Sequence, residues 1–219
     1  MLHGYLSSKE TFIHQINFIK RYRKVYAIDL DGFGESPPLN KAFSLDDYVY
    51  KVKDFITKQG IKSYDLLAHS FGGRIAIKLA KIDNRLDKIV LTGCAGLKPR
   101  RKIGYYFKVY TYKILKRFIP PEKLKNFGSI EYRSLSSIHK KSYLKIVNEH
   151  LDSQLKYINN KTLLIFGERD CDTPIYMAKK LNKNIKNSSL IIIKGAGHFA
   201  FIDKPFEFNL YLREFLLGE

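Results

Sequence analysis

An α/β fold, a mostly parallel sheet covered on both faces by helices, is what this sequence predicts. Three observations carry the expectation. Short apolar runs rich in β-branched residues alternate with helical patterns along most of the chain. A serine at one strand-to-helix junction sits among small residues, as a tight turn requires. One basic, aromatic stretch interrupts the alternation and reads as an insertion.

The apolar runs are Val25–Leu30, Tyr64–Ala68, Lys88–Thr92, Thr162–Phe166 and Leu190–Ile193. They are apolar almost without alternation, which is what a strand buried on both faces needs. Helical patterns occupy Lys9–Lys20, Leu45–Gln59, Gly72–Lys81, Pro174–Leu181 and Pro205–Leu217. Ser44 followed by Asp47 fits a helix N-cap with an acid in the first turn. From about Lys98 to His150 no strand is expected, and Pro120-Pro121 breaks a helix-like sequence. The division is therefore a core at 1–97 and 151–219, with a helical cap inserted at 98–150. An insertion beside the carboxyl edge of a sheet is placed to form a lid.

Composition narrows the classes. With 45% hydrophobic and 14% aromatic residues in 219, the chain can bury one sizeable core and is not disordered. No run of eighteen apolar residues and no charged-then-apolar leader is present, so a cytoplasmic protein is the expectation. Cys94 and Cys171 fit neither a disulfide framework nor a zinc site, and both are expected to stay thiols. The net charge of +18 suggests nucleic acid first. Its distribution argues otherwise. Lys98 to Lys125 holds ten Lys or Arg against Glu122, which is +9 and half of the total. No groove-reading motif accompanies it, so no specific nucleic-acid partner is expected.

The chemistry-bearing residues begin with Ala68-His69-Ser70-Phe71-Gly72-Gly73, directly after a strand and before a helix. Such a turn needs small neighbours, here Ala68 and Gly72, and its helix points an N-terminus at developing negative charge. Serine and glycine also cap ordinary helices, so the motif gains weight from the others. Gly167-Glu168-Arg169-Asp170-Cys171-Asp172-Thr173-Pro174 follows another strand and places a carboxylate where it can orient an imidazole. Asp170 is preferred over Asp172, because Pro174 opens the next helix and draws Asp172 toward a capping position. Gly195-Ala196-Gly197-His198-Phe199 follows the last strand and presents a histidine in a glycine loop. The order Ser, Asp, His, each at a strand's carboxyl end, suits nucleophilic catalysis. After His3-Gly4, the N–H of Tyr5 can face an oxyanion with that of Phe71 as partner. His3 reads as structural, and His69 is expected to turn its side chain away from the reacting face. His14, His139 and His150 lack neighbours that suggest ligation, so no metal site is expected.

Taken together, His3-Gly4-Tyr5, Asp29-Leu30-Asp31-Gly32-Phe33-Gly34-Glu35-Ser36, the Ser70 turn, the Asp170 loop and Gly197-His198 resemble the α/β-hydrolase superfamily. The similarity is to its small esterase-like members with a helical cap. It implies an acyl-transfer triad of Ser70, Asp170 and His198, oxyanion donors at Tyr5 and Phe71, and no cofactor. A small carboxylic ester or thioester is the implied substrate; a carbon–carbon bond hydrolase, a peptidase or an idle binding protein fits the same scaffold. Members usually carry strands before the His-Gly loop, and this chain is expected to lack them. In the cap, Ile103, Tyr106, Phe107, Tyr110, Ile114, Leu115 and Phe118 recur at helical spacing, with Lys108, Lys113, Lys116 and Arg117 between them. That pattern fits a lid helix with solvated lysines first, and a weak attachment to anionic membrane surface as the alternative. Nothing in the sequence predicts an oligomeric state.

Overall fold

A computed structural model of the chain describes residues 1–100 and 135–218. Four strands, β1 (Tyr64–His69), β2 (Leu86–Thr92), β3 (Thr162–Gly167) and β4 (Ser188–Ile193), pair in the order of the sequence, all parallel. Seven α-helices accompany them among the described residues. They are α1 (Ile13–Ile19), α2 (Leu45–Lys58), α3 (Phe71–Ile82), α4 (Ser137–Asn148), α5 (Ile175–Asn184), α6 (Ala200–Asp203) and α7 (Pro205–Leu217).

The unbroken apolarity of the strands has a direct cause. Successive strand side chains point to opposite faces, and both faces are covered. Leu66, Ala68, Ile89, Leu91, Leu164 and Phe166 feed a core shared with α2, α3 and α5, where Tyr48, Ile75 and Leu181 are buried. Leu67, Val90, Leu163 and Ile165 feed the opposite core, with Phe12, Phe201, Phe208 and Leu212. Each of the Val, Leu, Ile and Phe side chains contributes roughly 1.5–3 kcal/mol on burial. The expected cap of α2 forms in full: the Ser44 N–H donates to Asp47 Oδ2 at 2.7 Å, and the Asp47 N–H donates back to Ser44 Oγ.

Val25–Leu30 departs from expectation. It forms no strand but a single parallel bridge, at Ile28, to Leu2, which also bridges Ala68 of β1. The sheet thus continues past β1 in space, through Leu2 to Ile28. Of the expected cap, α4 lies within the described residues. Positions 101–134, which hold the expected lid-helix stripe and the basic residues expected between its members, lie outside them. No described helix is long and apolar enough to cross a membrane.

Candidate active site

The parallel strands end at one edge, and the three sequence-predicted residues follow three of those ends. Ser70 joins β1 to α3 at φ 49° and ψ −105°. A non-glycine residue held there stores about 1–3 kcal/mol of backbone strain, and the surroundings over-determine it. The Ser70 N–H donates to Thr92 O, and Ser70 O accepts from the N–H groups of Gly73 and Ala95, all at 3.1 Å. The glycines are steric requirements. A Cβ on Gly72 would stand 2.4 Å from the Leu2 carbonyl oxygen, and one on Gly73 2.5 Å from Cys94 Sγ. Gly72→Ala should therefore lower stability by about 1–3 kcal/mol, read as a shifted urea midpoint.

Beyond β3, Asp170 is buried and both its carboxylate oxygens are engaged. Oδ1 accepts the N–H groups of Asp172 (2.9 Å) and Thr173 (2.8 Å); Oδ2 accepts Thr173 Oγ1 (2.7 Å) and His198 Nδ1 (2.9 Å). Burial alone would raise this carboxyl's pKa. The hydrogen bonds from His198 and Thr173 outweigh it and hold the group below the usual carboxylate range. Asp172 is exposed and takes no part in helix capping, since α5 starts at Ile175 without a side-chain cap. Its main-chain N–H serves Asp170 instead. Asp170, Asp172 and His198 offer ligand atoms within 4.8 Å of one another, yet Asp170's oxygens are already committed to four donors.

His198 rests on a fixed loop. Asp203 Oδ2 accepts the Gly197 N–H at 2.7 Å, and Glu168 Oε2 accepts the Gly195 N–H at 2.9 Å. A Cβ on Gly93, after β2, would meet the His198 ring at 3.0 Å, so that glycine leaves room for the imidazole. With Nδ1 donating to Asp170, Nε2 is the nitrogen left to act as a base. No hydrogen bond joins it to Ser70 Oγ among the described contacts; both residues line one cavity of about 500 Å³ with Tyr5, Phe71, Arg74 and Tyr143. A second cavity of about 490 Å³, lined by Tyr26, Phe55 and Ile56 among others, holds no histidine.

The loop His3-Gly4-Tyr5 passes against the serine: a Cβ on Gly4 would lie 3.5 Å from Ser70 Cβ. Neither the Tyr5 nor the Phe71 N–H has an acceptor among the described residues. Phe71 is the first residue of α3, where orphan N–H groups and the helix dipole favour an anion. His3 is structural, as expected. It is buried, its Nδ1 donates to Gly4 O at 2.7 Å, and its Nε2 accepts the Leu30 N–H at 3.0 Å.

His69 corrects the expectation. Its ring does not turn away but packs 4.7 Å from that of His198, and Nε2 donates to the His198 carbonyl at 3.1 Å. Burial, then the neighbouring His198, push its pKa down to about 3, so it is a neutral prop against the His198 ring. The period of two that sends Leu67 and Ala68 to opposite faces carries His69 to the Leu67 face, where its ring meets that of Phe201, and no sequence signal marks its contact with His198.

The two cysteines are free and differ sharply. Cys94 is buried, and burial pushes its thiol up to about 12, while Cys171 is exposed beside Asp170. A thiol reagent should modify one group in native protein and two after denaturation. Two fast-reacting thiols, or none, would contradict this packing.

A strand–strained serine–helix turn beside an Asp–His pair, on a parallel sheet, defines a hydrolase-type α/β scaffold. Comparison with known proteins agrees. Residues 1–108 match the family described as alpha/beta hydrolase fold, and residues 143–216 the one described as TAP-like protein. The chain is 28% identical to the AB hydrolase superfamily protein YisY of Bacillus subtilis, covering 98% of this chain and 89% of that one. It is 24% identical to a pimeloyl-[acyl-carrier protein] methyl ester esterase of Neisseria meningitidis, over 100% of this chain and 93% of the relative. An esterase of Exiguobacterium antarcticum superposes with a TM-score of 0.77 at 22% identity, covering 98% and 90% of the two chains. A meta-cleavage product hydrolase of Pseudomonas fluorescens gives 0.75 at 22%, covering 99% and 89%. The chain belongs to the α/β-hydrolase superfamily.

Proposed function

We propose that this protein is a serine hydrolase that cleaves a small carboxylic ester or thioester through an acyl-enzyme. The observation that carries the reading is Ser70 at φ 49°, lining one cavity with a His198 whose Nδ1 lies 2.9 Å from buried Asp170. In this reading His198 Nε2 takes the proton of Ser70 Oγ as the oxygen attacks the substrate carbonyl carbon. The N–H groups of Tyr5 and Phe71 hold the resulting oxyanion. As the tetrahedral species collapses, the carbon–oxygen (or carbon–sulfur) bond breaks and His198 returns its proton to the leaving group. Water then gives a proton to His198 and attacks the acyl-enzyme, which releases the acid and restores Ser70. Asp170 stays ionised throughout and keeps the imidazole in the Nδ1–H tautomer.

Names of relatives that include esterases support ester cleavage over other uses of the scaffold. The described part of the segment 98–150 supports a cap: α4 packs across the site, with its His139 carbonyl accepting Tyr5 Oη and its Ser142 Oγ accepting the Phe43 N–H. The test is a fluorophosphonate probe followed by peptide mapping, then p-nitrophenyl esters of increasing acyl length. Label on Ser70 and turnover of the short esters are expected. No label, with no hydrolysis of any ester, would overturn the reading.

A further inference from the structure

Arg74 lies on α3 four residues beyond Ser70, about 6 Å farther along the helix axis, and lines the same cavity. It is 8% exposed. Its Nη1 donates to two carbonyls at the end of α4, Ile146 O and Glu149 O, both at 2.8 Å. Among the described residues its Nε and Nη2 have no acceptor, and no carboxylate forms an ion pair with it. The carboxylate of Glu149, whose main-chain carbonyl Arg74 holds, is itself held by Lys78, which also pairs with Asp46. The only acid among the described residues lining the cavity is Asp172, exposed at the rim. A guanidinium this deeply buried ordinarily has a carboxylate or phosphate as counter-charge. Here the negative end of α4 supplies part of that compensation, and three N–H donors in a planar fork remain.

We propose that Arg74 is a specificity-determining residue that binds an anionic group of the substrate, so that the preferred esters carry a second, carboxylate-bearing end. This rests on the hydrolase reading and names the substrate class for it. The planar fork suits a carboxylate bidentately, and the helical turn between Ser70 and Arg74 sets its distance from the reacting carbonyl at a few carbon atoms. Arg74 also holds α4 in place, so its replacement affects cap and ligand together. The test must therefore read a ratio.

The probes are p-nitrophenyl hydrogen glutarate, with the charge on the acyl side, and 4-acetoxybutyrate, with the charge on the alcohol side. Each is compared with the same compound bearing a primary amide in place of the carboxylate. In the parent, kcat/KM at low ionic strength should favour the carboxylate about 10- to 100-fold in at least one pair, mostly through KM. Arg74→Met should bring that ratio to about 1, and Arg74→Lys should leave part of it. A loss common to both members of a pair, from a displaced α4, cancels. Should Arg74→Met not fold, the parent ratio, its decline with salt and its change in Arg74→Lys carry the test. No preference for the carboxylate in either pair, or a preference that survives Arg74→Met, overturns the proposal. Turnover of the amide compounds with no charge preference would leave the hydrolase reading standing; absence of all turnover and of Ser70 labelling would remove that reading instead.

Discussion

Ser70→Ala should lower kcat for p-nitrophenyl ester hydrolysis by about 10⁴–10⁶-fold and abolish fluorophosphonate labelling. The size follows from what the substitution removes and what it leaves. The Oγ is lost, but the turn is held by main-chain bonds from Ser70 to Thr92, Gly73 and Ala95, none of which needs the side chain. Alanine at φ 49° is no less strained than serine, so the thermal midpoint should stay within a few degrees of the parent. A large loss of activity with an intact fold therefore reports chemistry. His198→Ala should cost a similar factor. The double variant should cost little more than either single one, because the two groups act as a unit. Near-normal esterase activity in folded Ser70→Ala would show that the strained serine serves some other purpose.

Much of the scaffold was legible because the sheet is buried on both faces. Runs such as Leu163–Phe166 are apolar without alternation, and the structure sends Leu164 and Phe166 to one core and Leu163 and Ile165 to the other. The same reasoning fails for Val25–Leu30. Its composition is that of a strand, but a ladder depends on the segment laid alongside, and composition carries no information about that partner; the structure gives it a single bridge, from Ile28 to Leu2. Helix starts read well where the cap is local, as at Ser44 with Asp47 three residues on. The start of α5 beside Pro174 also read well, but not its cap: Asp172 caps nothing, and its N–H and that of Thr173 turn to Asp170.

At the site, residue type and order pointed to Ser70, Asp170 and His198, and the small residues around each had geometric reasons that sequence could suggest. Groups that act across long separations were not legible. His69 supports a carbonyl 129 residues away, and Arg74 reaches carbonyls 72 and 75 residues away. Neither has a local pattern that distinguishes it from an ordinary strand-end histidine or a helix-surface arginine. Only the fold, by bringing α4 and the β4–α6 loop over the turn at Ser70, gives these residues something to hold.

Asp170→Asn should lower kcat by on the order of 10⁴-fold, while Asp172→Asn should be mild. The asparagine oxygen can replace Oδ1 and accept the N–H groups of Asp172 and Thr173. Its NH₂ then occupies the place of Oδ2 and faces His198 Nδ1, a donor facing a donor. The imidazole can relieve this by moving its proton to Nε2, the nitrogen that must be bare to accept the Ser70 proton. Asp172, exposed and without a hydrogen bond to His198, imposes no such constraint. Stability supplies an independent readout. Burial opposes ionisation of Asp170 and the bonds from His198 and Thr173 more than offset it, so its folded pKa lies below the unfolded one. A depressed folded pKa contributes stability that is present above the unfolded value, about pH 4, and is lost as pH falls through the folded value. Urea unfolding should therefore find Asp170→Asn less stable than the parent at pH 7, with the gap narrowing below about pH 4. A large kinetic loss in Asp172→Asn with little in Asp170→Asn would reverse the roles of the two acids.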